Sequence, residues 1–182
     1  MAAMDIVLDT CVLVNLCAAC DPQRFVVGTG VVLHIPQAVA AEAVRLHVGS
    51  EAASSDPQEV ELQQYLDSKT LMACALQGGQ ETELYVGLAR DLDDGEAMAL
   101  AIAKARGWLL ASDDRKARRR AELLGLRVIT TPEVMYQWAV ATGVTDGMLR
   151  RALLNIQNIA RFRPSPGFPQ HEWWLARTAV DV

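Results

Sequence analysis

Trp108-Leu-Leu-Ala-Ser-Asp-Asp-Arg-Lys-Ala117 is the stretch of sequence that decides the fold. A short apolar run, residues 108–111, is followed by a serine, by two adjacent aspartates, Asp113 and Asp114, and then by a basic segment. Short apolar runs bounded by polar residues are typical of buried strands. The stretch therefore predicts a central strand with carboxylates at its carboxyl end, where open α/β sheets bind their ligands.

A second apolar run with an acidic ending lies near the amino terminus. Asp5-Ile-Val-Leu-Asp9 predicts a strand, and Thr10 can begin the helix that follows. Residues 31–35 and 127–130 predict further strands, with helical segments between them. Strands that alternate with helices indicate a parallel sheet with helices on both faces. The predicted fold is a three-layer α/β/α domain with a central, mostly parallel sheet, followed by a helical C-terminal extension.

The chain of 182 residues suits one domain with a sizeable core. We divide it into a domain over residues 1–142 and a helical extension over residues 143–182 with a tail that carries Trp173 and Trp174. These tryptophans either pack on the protein's own core or mark a contact with a partner. The apolar stretches fall short of the ~20 residues that cross a bilayer, and the amino terminus lacks the basic region of a secretory signal. We therefore expect a cytoplasmic protein without a membrane partner.

Glu42 lies in a segment for which the sequence predicts a helix. Pro36 can open that helix, because proline is tolerated in a first turn. Val39, Ala43 and Leu46 then form its apolar face, and Glu42 flanks that face. Since a buried carboxylate without a partner is costly, Glu42 should have one.

Acidic residues from separate parts of the chain are candidates for a shared site. Asp9 and Asp113 follow predicted strands, and Glu96 introduces an apolar helix. Crowded carboxylates repel one another unless they are protonated or bridged by cations, and ligand sets made of oxygen suit Mg²⁺ or Mn²⁺. Each acid also has a structural alternative, because Asp9 and Asp114 can cap helices and Glu96 can complete a capping box.

Charge is unevenly distributed along the chain, which has a net charge of −5. Residues 42–96 carry twelve acids and three bases, whereas residues 104–127 carry eight bases and three acids. This asymmetry could set metal-binding carboxylates beside a surface that binds phosphates. The basic helix is predicted to contact nucleic acid through Arg115, Lys116, Arg118 and Arg119. The alternative is that these side chains form only a solvated surface.

The sequence lacks the motifs of several other kinds of functional site. Cys17-Ala-Ala-Cys20 lacks the second pair of ligands that a structural zinc site needs, so ordinary thiols are expected, with a redox or metal role as the alternative. The chain contains neither a P-loop, nor a G-x-G-x-x-G after the first strand, nor a G-x-S-x-G turn. The sequence therefore does not indicate a nucleotide cofactor or a serine hydrolase.

Together these motifs resemble the PIN (PilT N-terminus) domain family, the metal-dependent nucleases that include VapC-type toxins. The resemblance runs from about residue 5 to about residue 142 and rests on Asp9-Thr10, on Pro36 with Val39 and Glu42, on Asp94-Gly-Glu-Ala97 and on Leu110-Ala-Ser-Asp-Asp-Arg-Lys-Ala117. It implies that Mg²⁺ or Mn²⁺ is held by Asp9, Glu42, Glu96 and Asp113. It also implies that Asp114 is an additional or alternative ligand, and that the hydroxyls of Thr10 and Ser112 orient the carboxylates.

The same resemblance implies the reaction and the partners. A metal-activated water would attack an RNA phosphodiester, leaving a 5′-phosphate and a 3′-hydroxyl. An antitoxin protein and a second copy of the chain are the protein partners that it implies. Cys11 departs from the family pattern, in which a serine or threonine is common at that position. The alternative is a catalytically silent PIN fold that binds RNA or a protein.

Overall fold

A parallel β-sheet forms the centre of the protein. The computed structural model describes residues 4–41, 45–46, 58–59 and 62–179. In these ranges the sheet comprises β1 (Asp5–Leu8), β2 (Val32–Pro36), β5 (Leu71–Cys74), β6 (Leu109–Ala111) and β7 (Val128–Ile129). Its order is β5-β2-β1-β6-β7, and each neighbouring pair is parallel. Two short strands pair separately and antiparallel: β3 (Arg45–Leu46) and β4 (Gln58–Glu59).

Helices cover both faces of this sheet. One face packs against α1 (Thr10–Ala19), α2 (Pro22–Thr29), α4 (Leu62–Asp67), α8 (Thr131–Thr142), α9 (Asp146–Asn158) and α10 (His171–Thr178). The other packs against α5 (Gly78–Leu88), α6 (Asp94–Arg106) and α7 (Arg115–Leu123), while the short α3 (Gln37–Ala41) follows β2. Within the described ranges, none of the helices is long and apolar enough to cross a membrane.

The side chains of β1 show why the sheet is buried on both sides. Ile6 and Leu8 belong to the core shared with α1 and α9, whereas Val7, between them, belongs to the core shared with α6. Successive strand residues point to opposite faces, so an uninterrupted apolar run is what a two-sided parallel sheet requires. The predicted three-layer α/β/α fold is confirmed.

The predicted helix after β2 is wrong in two respects. Pro36 does not open it but ends β2, pairing with Cys74, and α3 begins one residue later at Gln37. The end of a strand tolerates proline, which lacks the N–H that a longer ladder would need. Leu46, predicted on the same helical face, lies in β3. Glu42 and Ala43 lie outside the described residues.

The C-terminal segment is part of the main core. α9 packs on α1, and α10 packs on α9. Trp174 is fully buried and meets Phe162 edge to face, with 6.0 Å between ring centroids. Trp173 is half-buried and meets Tyr136 in the same way at 5.4 Å. Of the two alternatives for the tryptophans, packing on the protein's own core is the one observed.

Candidate active site

Two of the predicted site aspartates lie at the carboxyl ends of neighbouring strands. In the β1–β6 pair Leu8 stands opposite Ala111, so Asp9 and Asp113 leave the sheet at the same edge. The Asp9 N–H continues the pairing by donating to the Ala111 carbonyl at 3.0 Å. The negative charge of Asp9 contributes to raising the pKa of the Asp113 carboxyl. The strand order thus brings together two acids that are far apart in the chain.

Asp9 is a buried carboxylate, 5% exposed, that also caps α1. Its Oδ1 accepts a hydrogen bond from the Cys11 N–H at 3.2 Å, and its Oδ2 accepts one from the fully buried Ser112 hydroxyl at 2.5 Å. Burial raises the pKa of Asp9, and these hydrogen bonds oppose the rise. Ser112 therefore contacts the carboxylate that it was predicted to orient. Thr10, the other predicted hydroxyl, is half-buried at the first position of α1.

The amino termini of α6 and α7 bring two further predicted acids to the site. Glu96 lies in the first turn of α6, where its N–H donates to the capping Asp93 Oδ1 at 2.8 Å. Asp114 caps α7, with Oδ1 accepting the Lys116 and Ala117 N–H groups at 2.7 and 2.9 Å. Burial, together with the charges of Asp114, Asp93 and Asp9, raises the pKa of Glu96 to about 7. These carboxylates therefore share one negative electrostatic environment.

Two residues that the sequence analysis missed, Asn15 and Thr131, hold Asp113. Thr131 donates its N–H to Oδ1 at 2.8 Å and its hydroxyl to Oδ2 at 2.6 Å. The Asn15 amide donates to the same Oδ2 at 2.9 Å and to the Thr131 hydroxyl oxygen at 3.0 Å. Asn15 and Thr131 are 2% and 0% exposed. An asparagine inside the apolar run of α1 was the available signal, because a buried amide needs hydrogen-bond partners.

Cys11 lies between the two strand-end aspartates. Its Sγ accepts a hydrogen bond from the Asp113 N–H at 3.3 Å, while its own N–H binds Asp9. Burial and the charges of Asp9 and Asp113 raise the pKa of the Cys11 thiol, so that it stays protonated at neutral pH. Cys11 thus takes part in the hydrogen bonding of the site despite its departure from the common serine or threonine.

The basic helix α7 begins at the site and continues along the surface. Arg115, Lys116 and Arg119 are exposed. Arg118, predicted to contact nucleic acid with them, is half-buried, and its guanidinium carbon lies 4.3 Å from the centroid of the Phe168 ring. Three of the four predicted nucleic-acid contacts are therefore accessible, whereas Arg118 ties the helix to the C-terminal segment.

A protein-family model described as PIN domain matches residues 5–171 of the chain. The chain belongs to the PIN domain family. No curated protein and no solved structure gives a significant match. The PIN match continues past residue 142 through α9 to the start of α10, while the division of the chain into residues 1–142 and 143–182 stays a prediction. PIN domains are generally nucleases and typically use divalent metal ions.

The acids of this PIN domain suit a cation in their chemistry. The charged groups that raise the Glu96 pKa are all carboxylates, and carboxylate oxygens are the ligands that hard divalent ions prefer. Among the described residues, no group of three or more His, Cys, Asp or Glu side chains is arranged so that it could hold a metal ion. Glu42, the fourth acid of the predicted set, lies outside the described residues. The donor type therefore fits a divalent ion, and the ligand set itself stays a prediction.

Proposed function

We propose that this PIN domain is a metal-dependent ribonuclease of the VapC-like type. The observation that supports the proposal is the shared negative environment of Asp9, Glu96 and Asp114 at the carboxyl edge of the sheet. Uncompensated carboxylates in a half-buried site cost stability, so a cluster of this kind is typical of sites that bind cations or catalyse reactions. Membership of a family that generally consists of nucleases supports the same reaction class.

The proposed cation ligands are the predicted acids: Asp9, Glu42, Glu96, Asp113 and Asp114. A divalent cation held there would lower the pKa of a water molecule and offset the charge that develops on a phosphodiester during hydrolysis. The hydroxyl of Ser112 keeps the Asp9 carboxylate oriented, and the exposed cations of α7 bind the RNA backbone. Hydrolysis breaks the P–O3′ bond, so one product carries a 5′-phosphate and the other a 3′-hydroxyl.

Cleavage of labelled RNA tests the proposal. The purified full chain is incubated with unstructured RNA, and in parallel with DNA of the same sequence, in Mn²⁺, in Mg²⁺ or in EDTA. We expect cleavage of the RNA with either metal, none in EDTA, and fragments whose 5′-phosphate permits ligation. Glu96→Gln, purified in parallel, reports contaminating ribonucleases.

Two results would contradict the proposal. Cleavage that persists in EDTA, or that Glu96→Gln retains in full, would show that the carboxylate site is not responsible. RNA binding without cleavage of any RNA, including total cellular RNA, would instead favour the catalytically silent PIN module.

Metal binding should depend on pH through Glu96. Because the Glu96 pKa is raised to about 7, the carboxyl is mostly protonated at pH 6 and mostly ionised at pH 8. Ligands must lose their proton to bind a cation, so Mn²⁺ affinity should fall about tenfold from pH 8 to pH 6. Calorimetric titration with Mn²⁺ measures this slope. The Glu96→Gln variant should bind Mn²⁺ more weakly, and its Mn²⁺ affinity should change less with pH. If the affinity of this variant changes with pH as much as that of the wild type, Glu96 is not the source of the pH dependence.

RNA affinity should depend on the exposed arginines of α7. Arg115 and Arg119 lie four residues apart and so share one side of the helix. Replacing both with glutamate should weaken RNA binding by about 10–100-fold at low salt and reduce the salt dependence, because two phosphate contacts are lost. Arg127→Glu is the matched control, since Arg127 is exposed and precedes β7 at the opposite edge of the sheet. Equal weakening by the control would indicate a general charge effect.

The protein partners are proposed from the family resemblance. We propose that the chain acts on cytoplasmic RNA as the toxin of a toxin–antitoxin pair and that it forms a homodimer. Expression of the wild-type chain should then arrest growth, and expression of Asp9→Asn should not. If a wild-type chain that cleaves RNA in vitro leaves growth unaffected, the toxin role is refuted and the ribonuclease proposal stands. Sedimentation of the purified chain decides between monomer and dimer.

A further inference from the structure

The segment between α9 and α10 carries positive charge that the fold does not neutralise. Residues 147–171 contain four arginines and no aspartate or glutamate, although the whole chain has a net charge of −5. Two of these arginines, Arg161 and Arg163, lie in residues 161–170, the C-terminal connector. Both are exposed, and neither side chain has a hydrogen bond or ion pair within the part of the chain that the structure describes. Their charges are therefore available to a ligand.

The backbone of the C-terminal connector is held in one conformation. Three of the seven prolines of the chain lie in it, at positions 164, 166 and 169, and each fixes its own φ. Pro164 is buried, and the Phe168 N–H closes a turn by donating to the Ser165 carbonyl at 2.9 Å. A rigid segment loses little conformational entropy when it binds, so this backbone favours binding through its exposed side chains.

Both ends of the C-terminal connector adopt a left-handed conformation without glycine. The φ angle is 57° at Arg161 and 61° at Gln170, two of the three non-glycine residues with such a φ among the described residues. This conformation is less favourable for an L side chain than for glycine. Because the exposed Arg161 side chain gains no described polar partner in return, glycine would serve the fold better at this position. The arginine is thus better explained by its charge.

Aromatic side chains attach the C-terminal connector to the basic helix α7. The centroid of the Phe168 ring lies 4.3 Å from the guanidinium carbon of Arg118 and 5.7 Å from the centroid of the Phe162 ring. Phe162 stands between Arg161 and Arg163 in the chain. These two contacts in series bring the pair of free arginines close to α7.

The connector reaches α7 near the end that begins at the carboxylates. α7 starts at Arg115, directly after the capping Asp114, so Arg118 lies about one helical turn from that end. Arg115 is exposed and lies three residues before Arg118, on the adjoining part of the helix surface. The C-terminal connector therefore meets α7 where the exposed cations of the helix begin.

We propose that the C-terminal connector is a second binding site for the RNA backbone, in which Arg161 and Arg163 bind phosphates and extend the surface of α7. This inference rests on the proposed ribonuclease function, which identifies the polyanion as RNA. The two arginines take the place of Arg118, which holds the connector through Phe168. Arginine suits this role because its planar guanidinium can donate two parallel hydrogen bonds to a phosphate. Backbone contacts carry no sequence information, so this site should bind RNA of any sequence.

The affinity of the full chain for RNA tests this site. Fluorescence anisotropy with labelled, unstructured RNA in EDTA separates binding from metal-dependent cleavage. The double variant Arg161→Glu/Arg163→Glu should bind about 10–100-fold more weakly at low salt. Its plot of log affinity against log salt should be shallower by about 1.4, because two contacts of about 0.7 each are lost. The melting temperature should stay within about 2 °C of the wild type, as for exposed side chains without partners.

Arg127→Glu is the charge control, since Arg127 is exposed and precedes β7. It should change RNA affinity less than about threefold, because it removes no phosphate contact.

A glycine at each end of the C-terminal connector separates the effect of charge from that of backbone conformation. Arg161→Gly removes the charge and suits the left-handed φ, so RNA binding should weaken about threefold or more while the melting temperature is unchanged or higher. Gln170→Gly makes the matching backbone change without changing the charge. The Gln170 side chain makes no capping hydrogen bond to α10, so this variant should bind RNA as the wild type does. Equal losses of RNA affinity in the two glycine variants would overturn the role of the Arg161 charge.

The outcomes distinguish this inference from the proposed function. Wild-type RNA affinity in the double variant, or a loss no greater than that of Arg127→Glu, would overturn the second RNA-binding site, while cleavage by the wild type would leave the ribonuclease standing. RNA affinity that depends on Arg161 and Arg163, in a chain that cleaves no RNA, would support the site and refute the ribonuclease. A wild-type chain that binds no RNA in EDTA would overturn the site, and the cleavage assay would then judge the ribonuclease separately.

Discussion

Asp9→Asn should lower the rate of RNA cleavage by at least about 1000-fold, the largest functional effect that we expect from a single substitution. Asp9 is the most deeply buried of the acids whose charges raise the pKa of Glu96, and the variant removes its charge from the proposed cation site. Asparagine can still accept the Cys11 N–H that begins α1. Since burial raises the pKa of Asp9, an ionised carboxylate here costs stability at pH 7, and the variant should melt at or above the wild-type temperature.

Asp21→Asn is the matched control for this variant. Asp21 caps α2 by accepting the Gln23 N–H at 2.9 Å, in the same way that Asp9 caps α1, but it is exposed. The Asp21→Asn variant should cleave RNA at the wild-type rate. Comparable cleavage by Asp9→Asn and Asp21→Asn, both folded by circular dichroism, would refute the role given to Asp9.

Trp174→Ala should lower the free energy of unfolding by about 3–5 kcal/mol, because a large side chain in a closed core leaves a cavity. Trp174 is fully buried in the core that contains α1, α8 and α9. For a chain of this length the loss corresponds to roughly 10 °C in melting temperature. Urea denaturation followed by circular dichroism measures it.

Trp173→Ala provides the comparison, since Trp173 is half-buried and packs against Tyr136 at the surface. Its expected cost is about 1 kcal/mol, as for an exposed aromatic pair. Equal effects of the two substitutions would mean that α10 is not part of the core. A large effect at Trp174 would show that α10 contributes to the stability of the core.

Much of the fold could be predicted from local patterns. Apolar runs such as residues 6–8 and 109–111 are short and lack polar interruptions, as parallel strands between two helical layers require, and an aspartate follows each of them within two residues. The helix after β2 was harder to place, because Pro36 is compatible with both a first helical turn and a strand end. Pairing with Cys74 decided between them, and that contact is not visible in a local pattern.

The candidate site was predictable only in part, for a similar reason. Asp9 and Asp113 could be recognised because both follow strands, but the partners of Asp113 come from α1 and α8. No spacing rule connects Asn15 with Thr131, since their contact depends on how distant helices pack. The same holds for Trp174, which lies in a helix that packs on α9 and whose ring meets that of Phe162, which follows α9.

The double use of Asp9 and Asp114 as helix caps has an evolutionary consequence. A change of either codon from aspartate to asparagine needs one nucleotide, keeps the helix start and would remove a charge on which the proposed chemistry depends. Proteins encoded by descendants of such a gene would keep the fold but lack catalytic activity, and selection could then act on binding alone. Under the proposed function, a single, structurally inexpensive mutation would separate an enzyme from a non-enzyme in this architecture.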